Sequence, residues 1–229
     1  MKVVARLFWG VIAVVLVVIA SGPIGLYFYG LQSVPDDRQP IITRDIPTPV
    51  IDAYWQFLGG TGSAAVSRYG PHGFWAEMIF LLMTYDSGTR PNAKYQLLSE
   101  AARSVMLRRP RYSHPKNWHL GNASAFIWIS RHWSAEDAVS TVLLDGFFGH
   151  GFFGAQDASI GYFGKPLADL SEAQLVHLFI ILRAPSRLDL WCNLDRNREI
   201  SGNHTARQGN QIPLTPLGVT PVPPGACER

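Results

Sequence analysis

Apolar positions in this chain fall into one long uninterrupted run followed by several short helical periods. From Leu7 to Gly30 the sequence LFWGVIAVVLVVIASGPIGLYFYG contains no charged residue, and a helix needs about 20 apolar residues to cross a bilayer. Farther on, Phe74 to Tyr85 is strongly apolar and ends at DSG, which predicts a buried helix stopped near Gly88. Leu97, Leu98, Ala101, Val105 and Met106 share a helical face and predict a helix over Lys94 to Arg108. Two prolines in RRPRYSHPK end it, and Leu120 to Ile129 predicts another short apolar helix. Ser134 to Asp137 (SAED) has capping-box spacing, so a helix is expected from there to about Leu144. The glycines of DGFFGHGFFGAQ predict a tight turn packed by Phe147, Phe148, Phe152 and Phe153. Ser171 and Gln174 form a second capping box, with Leu170 and Leu175 as its hydrophobic staple and Pro185 as its stop. Strand-type alternation is scarce.

This pattern divides the chain into a short N-terminus (1–6), a membrane anchor (7–30), a polar, Pro-punctuated linker (31–49), a mostly α domain (50–200) and a Gly/Pro/Thr/Asn-rich tail (201–229) expected to be disordered. Lys2 and Arg6 precede the apolar run, so the N-terminus is expected in the cytoplasm and the rest outside it. Trp9, Tyr27, Phe28 and Tyr29 stand near its two ends, where interfacial aromatics belong. The run is longer than a signal-peptide core and no small-x-small cleavage site follows, which favours an uncleaved anchor.

Composition agrees with a membrane setting. Only 16% of the 229 residues are charged against 47% hydrophobic, a low charge content for a soluble domain. The net charge of +3 suits an anionic membrane or substrate. It is too small to indicate nucleic acid, and no nucleic-acid motif is present. Export would place Cys192 and Cys227 in an oxidising compartment; a disulfide and two separate thiols are both compatible with the sequence. The seven histidines show no metal-ligand spacing. His177 lies in the apolar helix after Ser171 and reads as a packed core histidine rather than a base.

The stretch from Trp133 to Asp189 resembles the C-terminal half of family 51 glycosyltransferases. These are the peptidoglycan transglycosylase domains of monofunctional transglycosylases and class A penicillin-binding proteins. The family's Ser-Lys-Glu-Glu-Ile helix start, Tyr-Phe-Gly-x-Gly-x-Tyr-Gly turn, Tyr-Phe-Gly-Lys, Leu-Thr/Ser-x-Ala-Glu and Gln-Ala-Pro-Ser are similar to Ser134–Ala138, Phe147–Gly154, Tyr162–Lys165, Leu170–Gln174 and Arg183–Ser186. The resemblance implies a mainly α, lysozyme-like domain behind one N-terminal transmembrane helix, on the periplasmic side of the inner membrane. It implies lipid II or glycan strands as ligands, cell-wall synthesis proteins as partners, and a divalent metal on the pyrophosphate in some members. One Glu of the family activates a sugar hydroxyl, which is a poor nucleophile without a positioned carboxylate. A second carboxylate and several basic residues offset charge on the departing pyrophosphate.

Carried over position by position, those charges are missing. Against the family's Glu-Asp-x-x-Phe, Phe57 matches, while Ala53 stands at the general base and Tyr54 at the Asp. Asp52 is one residue away, a rotation of about 100° on a helix; the next carboxylate is Glu77. In the second motif Gln96 and Leu98 match, but Glu100 replaces the phosphate-binding Lys. In the third, Trp118 replaces an Arg and Asn122 the second carboxylate, and Asp145 later replaces another Arg. Arg108, Arg109, Arg111 and Lys116, with Gln96, are the remaining candidates for binding substrate. Two readings follow. One is a degenerate member that binds lipid II, glycan or a synthase without efficient transfer and needs no cofactor. The other is an active enzyme with a displaced carboxylate, Asp52 or Glu77, and a divalent metal. Both require the same topology: a reporter fused after Arg229 should report from outside the cytoplasm, and a cytoplasmic signal would overturn the export argument.

Overall fold

The computed structural model describes residues 2–41, 46–84, 91–108, 117–207, 209 and 217–227. The described elements are helical: α1 (Lys2–Leu31), α2 (Thr48–Phe57), α3 (Pro71–Met83), α4 (Ala93–Leu107), α5 (Trp118–His132), α6 (Ala135–Asp145), α7 (Ala155–Phe163), a 3₁₀ turn (Leu167–Asp169), α8 (Glu172–Ile181), α9 (Pro185–Leu188) and α10 (Leu194–Arg207). The mainly α class is therefore the observed one, with one N-terminal helix, Arg6–Leu31, long and apolar enough to cross a membrane.

Helix α1 continues from its apolar stretch into contact with the domain. Its last turns lie on α5, where Ser124 Oγ donates to the Tyr27 carbonyl at 3.0 Å and Asn117 Nδ2 donates to the Tyr29 hydroxyl at 3.1 Å. Gly30 permits this approach, since a Cβ there would overlap Ser124 Oγ and the Leu120 carbonyl. On another side His72 Nε2 of α3 donates to the Ala20 carbonyl at 3.0 Å. The linker is also laid down rather than loose. Val34 and Ile46 are buried, Ile41 N donates to Thr141 Oγ1, and Arg108 donates to the carbonyls of Asp37 and Gln39.

Helix α4 is the central rod. Asn92 caps it by accepting from the Tyr95 amide, and Leu97, Leu98, Ala101, Ala102 and Val105 are fully inaccessible to solvent, packed between α5 and α6. Both expected capping boxes form. Ser134 Oγ accepts from Asp137 N while Asp137 Oδ2 accepts from Ser134 N, and Ser171 and Gln174 do the same for α8. α8 already ends at Ile181, and Pro185, rather than stopping it, opens α9 at its first position, where a missing N–H costs nothing. Likewise α3 begins at Pro71, ahead of the apolar run.

The expected turn is present, but not all four phenylalanines fill it: Phe148 is buried, whereas Phe153 is 44% exposed. Gly149, His150 and Gly151 all have positive φ, with His150 at 48°, an uncommon state for a residue with a Cβ. Helices α2, α7, α9 and α10 lack a counterpart in the apolar pattern. α10 also corrects the boundary drawn at 200/201. It runs through Ser201 to Arg207, and beyond it residues 217–227 are held against the domain, tied by a Cys192–Cys227 disulfide. The reason is that α10 turns polar groups inward: Asn197, Ser201, His204 and Thr205 are buried.

Asn197 is the centre of that seam. Its Nδ2 donates to the carbonyls of His177 (3.1 Å) and Leu188 (2.6 Å), so its Oδ1 is the acceptor for His177 Nδ1 at 2.6 Å and Ser201 Oγ at 3.2 Å. Burial keeps His177 below its ordinary pKa, the hydrogen bond to Asn197 opposing and Arg198 reinforcing the shift. His177 is thus a packed core histidine. Removing one partner of a buried hydrogen bond costs about 1–3 kcal/mol per stranded group. Asn197→Ala should accordingly destabilise the fold by roughly 3 kcal/mol, read by denaturant unfolding in detergent; a loss under about 0.5 kcal/mol, the range of ordinary surface changes, would contradict this role.

Candidate functional site

Two cavities share Tyr95 and Ser99 of α4 as a common wall. The smaller, about 200 Å³, lies between α2, α4 and the end of α8, lined among others by Tyr54, Phe57, Gln96, Glu100 and Arg183. The larger, about 430 Å³, lies between α3, α4 and α5, with Phe74, Trp75, Met78 and Phe126 as apolar walls and His119 and Asn122 as polar ones. Together they form a cleft at the side of α4 that faces α3, the helix packed on the anchor.

The mouth of the smaller cavity is built by α10 across the chain. His204 Nε2 donates to the Phe57 carbonyl at 2.8 Å, which leaves Nδ1 to accept from Arg183 Nη2 at 3.4 Å. Arg183 lies over the Phe57 ring, 5.1 Å from its centre, a cation–π arrangement. Glu100, partly buried on α4, faces into this cavity. Burial raises its pKa, opposed by the charges of Arg103 and Arg183. Tyr54 beneath it is held well above its usual value, by burial first and then by Glu100.

Of the residues named from sequence, the structure joins some and separates others. Asn122 lines the larger cavity and Glu100 the smaller. Ala53 is partly buried against the core and lines neither, and Asp52 is exposed. Gln96 is held at home, its Nε2 donating to the carbonyls of Pro91 (2.8 Å) and Leu58 (3.3 Å), so it shapes the cavity wall. Arg108 is occupied elsewhere: its Nε donates to Asp145 Oδ2 at 2.6 Å, and its Nη1 holds the linker carbonyls of Asp37 and Gln39. The acidic replacement at 145 is thus matched by a structural arginine. Arg109, Arg111 and Lys116 lie outside the described residues.

Glu77 is placed more usefully than its sequence position suggested. It sits on α3, close enough to Tyr69 for its carboxylate to act on the Tyr69 hydroxyl. Tyr69 is pushed up to about 12, by burial first, then by the charge of Glu77 and by Tyr95. Tyr95, in the wall of both cavities, is raised by burial and by Glu77. No sequence pattern pointed to Tyr69 or Tyr95 as partners of Glu77, because the three stand on different segments. Among the described residues His150, Asp189 and Cys192 are grouped closely enough to suggest a metal site, but the Cys192 sulfur is committed to the disulfide and Asp189 Oδ1 already accepts from His150, Trp191 N and Cys192 N.

Comparison with known proteins agrees with this architecture. Residues 103–208 match the family model described as Transglycosylase. Over 171 residues, 72% of this chain, the sequence is 26% identical to penicillin-binding protein 1F of Bacillus subtilis (strain 168), of which the match covers 22%. Over 61 residues, 27% of this chain, it is 38% identical to penicillin-binding protein 1A of Mycobacterium tuberculosis (strain ATCC 25618 / H37Rv), of which the match covers 7%. The part of the helical domain that is similar to the transglycosylase family runs from within α4 to the end of α10. The chain spans only a minor part of the length of these two relatives.

The Glu77 arrangement can be checked by titration. Tyrosinate absorbance should contain a component with a midpoint near 12 that disappears in Tyr69→Phe. In Glu77→Gln that midpoint should fall, because the carboxylate charge that disfavours tyrosinate is gone. An unchanged midpoint in Glu77→Gln would remove Glu77 from the neighbourhood of Tyr69.

Proposed function

We propose that this protein is a membrane-anchored member of the peptidoglycan transglycosylase type that holds lipid II or a glycan strand in the cleft without efficient glycosyl transfer. The observation that carries this reading is a retained cleft whose two expected carboxylate positions are Ala53, outside the cavities, and Asn122, an amide within one. Transfer needs a base on the sugar hydroxyl, and the departing pyrophosphate needs cations. At the place of the family's phosphate-binding Lys, Glu100 adds negative charge instead.

The same reading accounts for location. α1 crosses the inner membrane with its N-terminus in the cytoplasm, and the domain stands on the periplasmic side. Ile79, Phe80, Leu82 and Met83 of α3 are all more than half exposed. They rest against the lipid, where an apolar helix face is favourable. A long-chain polyprenyl ligand would then enter the larger cavity from the bilayer side.

A second reading has a specific observation behind it: Glu77, beside Tyr95 in the wall of both cavities, serves as a relocated base. A divalent metal belongs to this reading alone. Among the described residues lining the cavities, Glu100 is the one carboxylate offered to it.

The test pairs binding with turnover. Full-length protein in detergent should bind lipid II yet fail to extend it, with or without a divalent metal. Losing a base costs about 10²–10⁴ in rate and losing leaving-group stabilisation about 10²–10³ more, which together bring polymerisation to the edge of detection. Ala53→Glu alone should not restore it. Ala53→Glu with Asn122→Glu and Glu100→Lys gives the best prospect of weak activity. Ordinary turnover by the unmodified protein would overturn the first reading, and loss of that turnover in Glu77→Gln would establish the second.

A further inference from the structure

The C-terminal residues form a strap whose attachment to the domain is chemically uneven. Leu217 is buried, and its carbonyl accepts from Gln174 Nε2 at 2.8 Å. Thr220 N donates to the Tyr162 carbonyl at 2.8 Å, its Oγ1 donates to the Gly161 carbonyl at 2.7 Å, and that same oxygen accepts from Trp191 Nε1 at 3.2 Å. The strap thus touches α7 and the start of α8, then ends at Cys227, bonded to Cys192. Leu217 and Val219 seat the start of the strap on the core, and the disulfide closes its exposed far end onto the chain.

The two sulfurs are not equivalent. Cys227 lies on the exposed strap. Cys192 stands two residues before α10, beside Asn193, whose carbonyl accepts the early helical bond from Asn197 N. Its sulfur is 3.8 Å from His150 Nε2. His150 is in turn fixed by donating to Asp189 Oδ1 at 2.9 Å, with the Asp189 side chain fully buried. The Nε2 hydrogen of His150 is committed to Asp189, so it is the helix N-terminus that favours a thiolate at Cys192. The sulfur that makes the better thiolate is the better leaving group in thiol–disulfide exchange.

We propose that Cys192–Cys227 is a redox-responsive latch, opened by a dithiol reductant and closing the strap over α7 and the start of α8. One thiolate of the reductant attacks Cys227 Sγ, forms a mixed disulfide there and expels Cys192 as a thiolate beside His150. The second thiol of the reductant then attacks its own bonded sulfur and expels Cys227. The reductant leaves as a cyclic disulfide, having given two electrons, and its two protons end on Cys192 and Cys227. The released strap uncovers the Gly161 and Tyr162 carbonyls and frees Gln174 on α8, the helix that leads to Arg183 at the cleft. The latch is independent of whether the cleft transfers sugars.

The test uses the full-length oxidised protein in detergent and dithiothreitol as the reductant. Amide hydrogen exchange should show protection at Thr220 before reduction and its loss afterwards, while Ala101 of α4 and Ile180 of α8 stay protected. Cys227→Ser should show the unprotected Thr220 amide without any reductant. Thr220 protection that survives full reduction of the folded protein would overturn the latch. If Cys227→Ser does not fold, the exchange measurement on the reduced native chain decides the matter by itself.

Discussion

A single side-chain amide, that of Asn197, ties the second half of the molecule together. It satisfies the carbonyls of His177 and Leu188 and receives the imidazole of His177, so α8, α9 and α10 cannot shift independently. Such a seam is costly when incomplete and specific when complete. Farther along α10, His204 reaches the Phe57 carbonyl, which ties the end of α2 to α10. Tyr54 and Phe57 pack on Phe179 and so join α2 to α8 along the small cavity.

How much of this was legible follows from what each element buries. Helices α4, α6 and α8 bury apolar residues at helical spacing and carry caps at their starts, so pattern and structure coincide to within a residue or two. α10 buries Asn197, Ser201, His204 and Thr205, a polar stripe at the spacing i, i+4, i+7, i+8. A search for apolar periods passes over it, and its Gly and Asn content suggested disorder; the same spacing read on polar residues was the available signal. The strap was hidden for a different reason. Its order comes from a disulfide closing back over 35 positions, and with two cysteines the sequence allowed a bridge without requiring one.

The sequence named candidate site residues but not their contacts. Ala53, Asn122 and Glu100 could be read as departures from a family pattern, and the geometry puts the last two in the cleft. That Arg108 would be spent on Asp145 and the linker could not be read, because the pair spans two helices and depends on where the linker lies. The pairing also gives a physical account of the acidic residue at 145. A negative charge there would be a liability next to a pyrophosphate, but opposite a partly buried guanidinium it forms a charge-assisted hydrogen bond.

The walls of the two cavities have a structural role of their own. Tyr54, Phe57, Phe179 and Leu182 line the small cavity, and all four are buried members of the core; Phe74 and Phe126 do the same for the larger one. Shrinking any of them would leave a void in packed material, at a cost of about 2–5 kcal/mol, comparable with much of a domain's net stability. The cleft walls are therefore constrained by folding whether or not chemistry takes place between them. A catalytic carboxylate has no such protection, since it gains nothing from packing and loses solvation by being placed in a cavity. The walls of the two cavities are thus held by the packing of the fold, whereas a charged group placed between them is not.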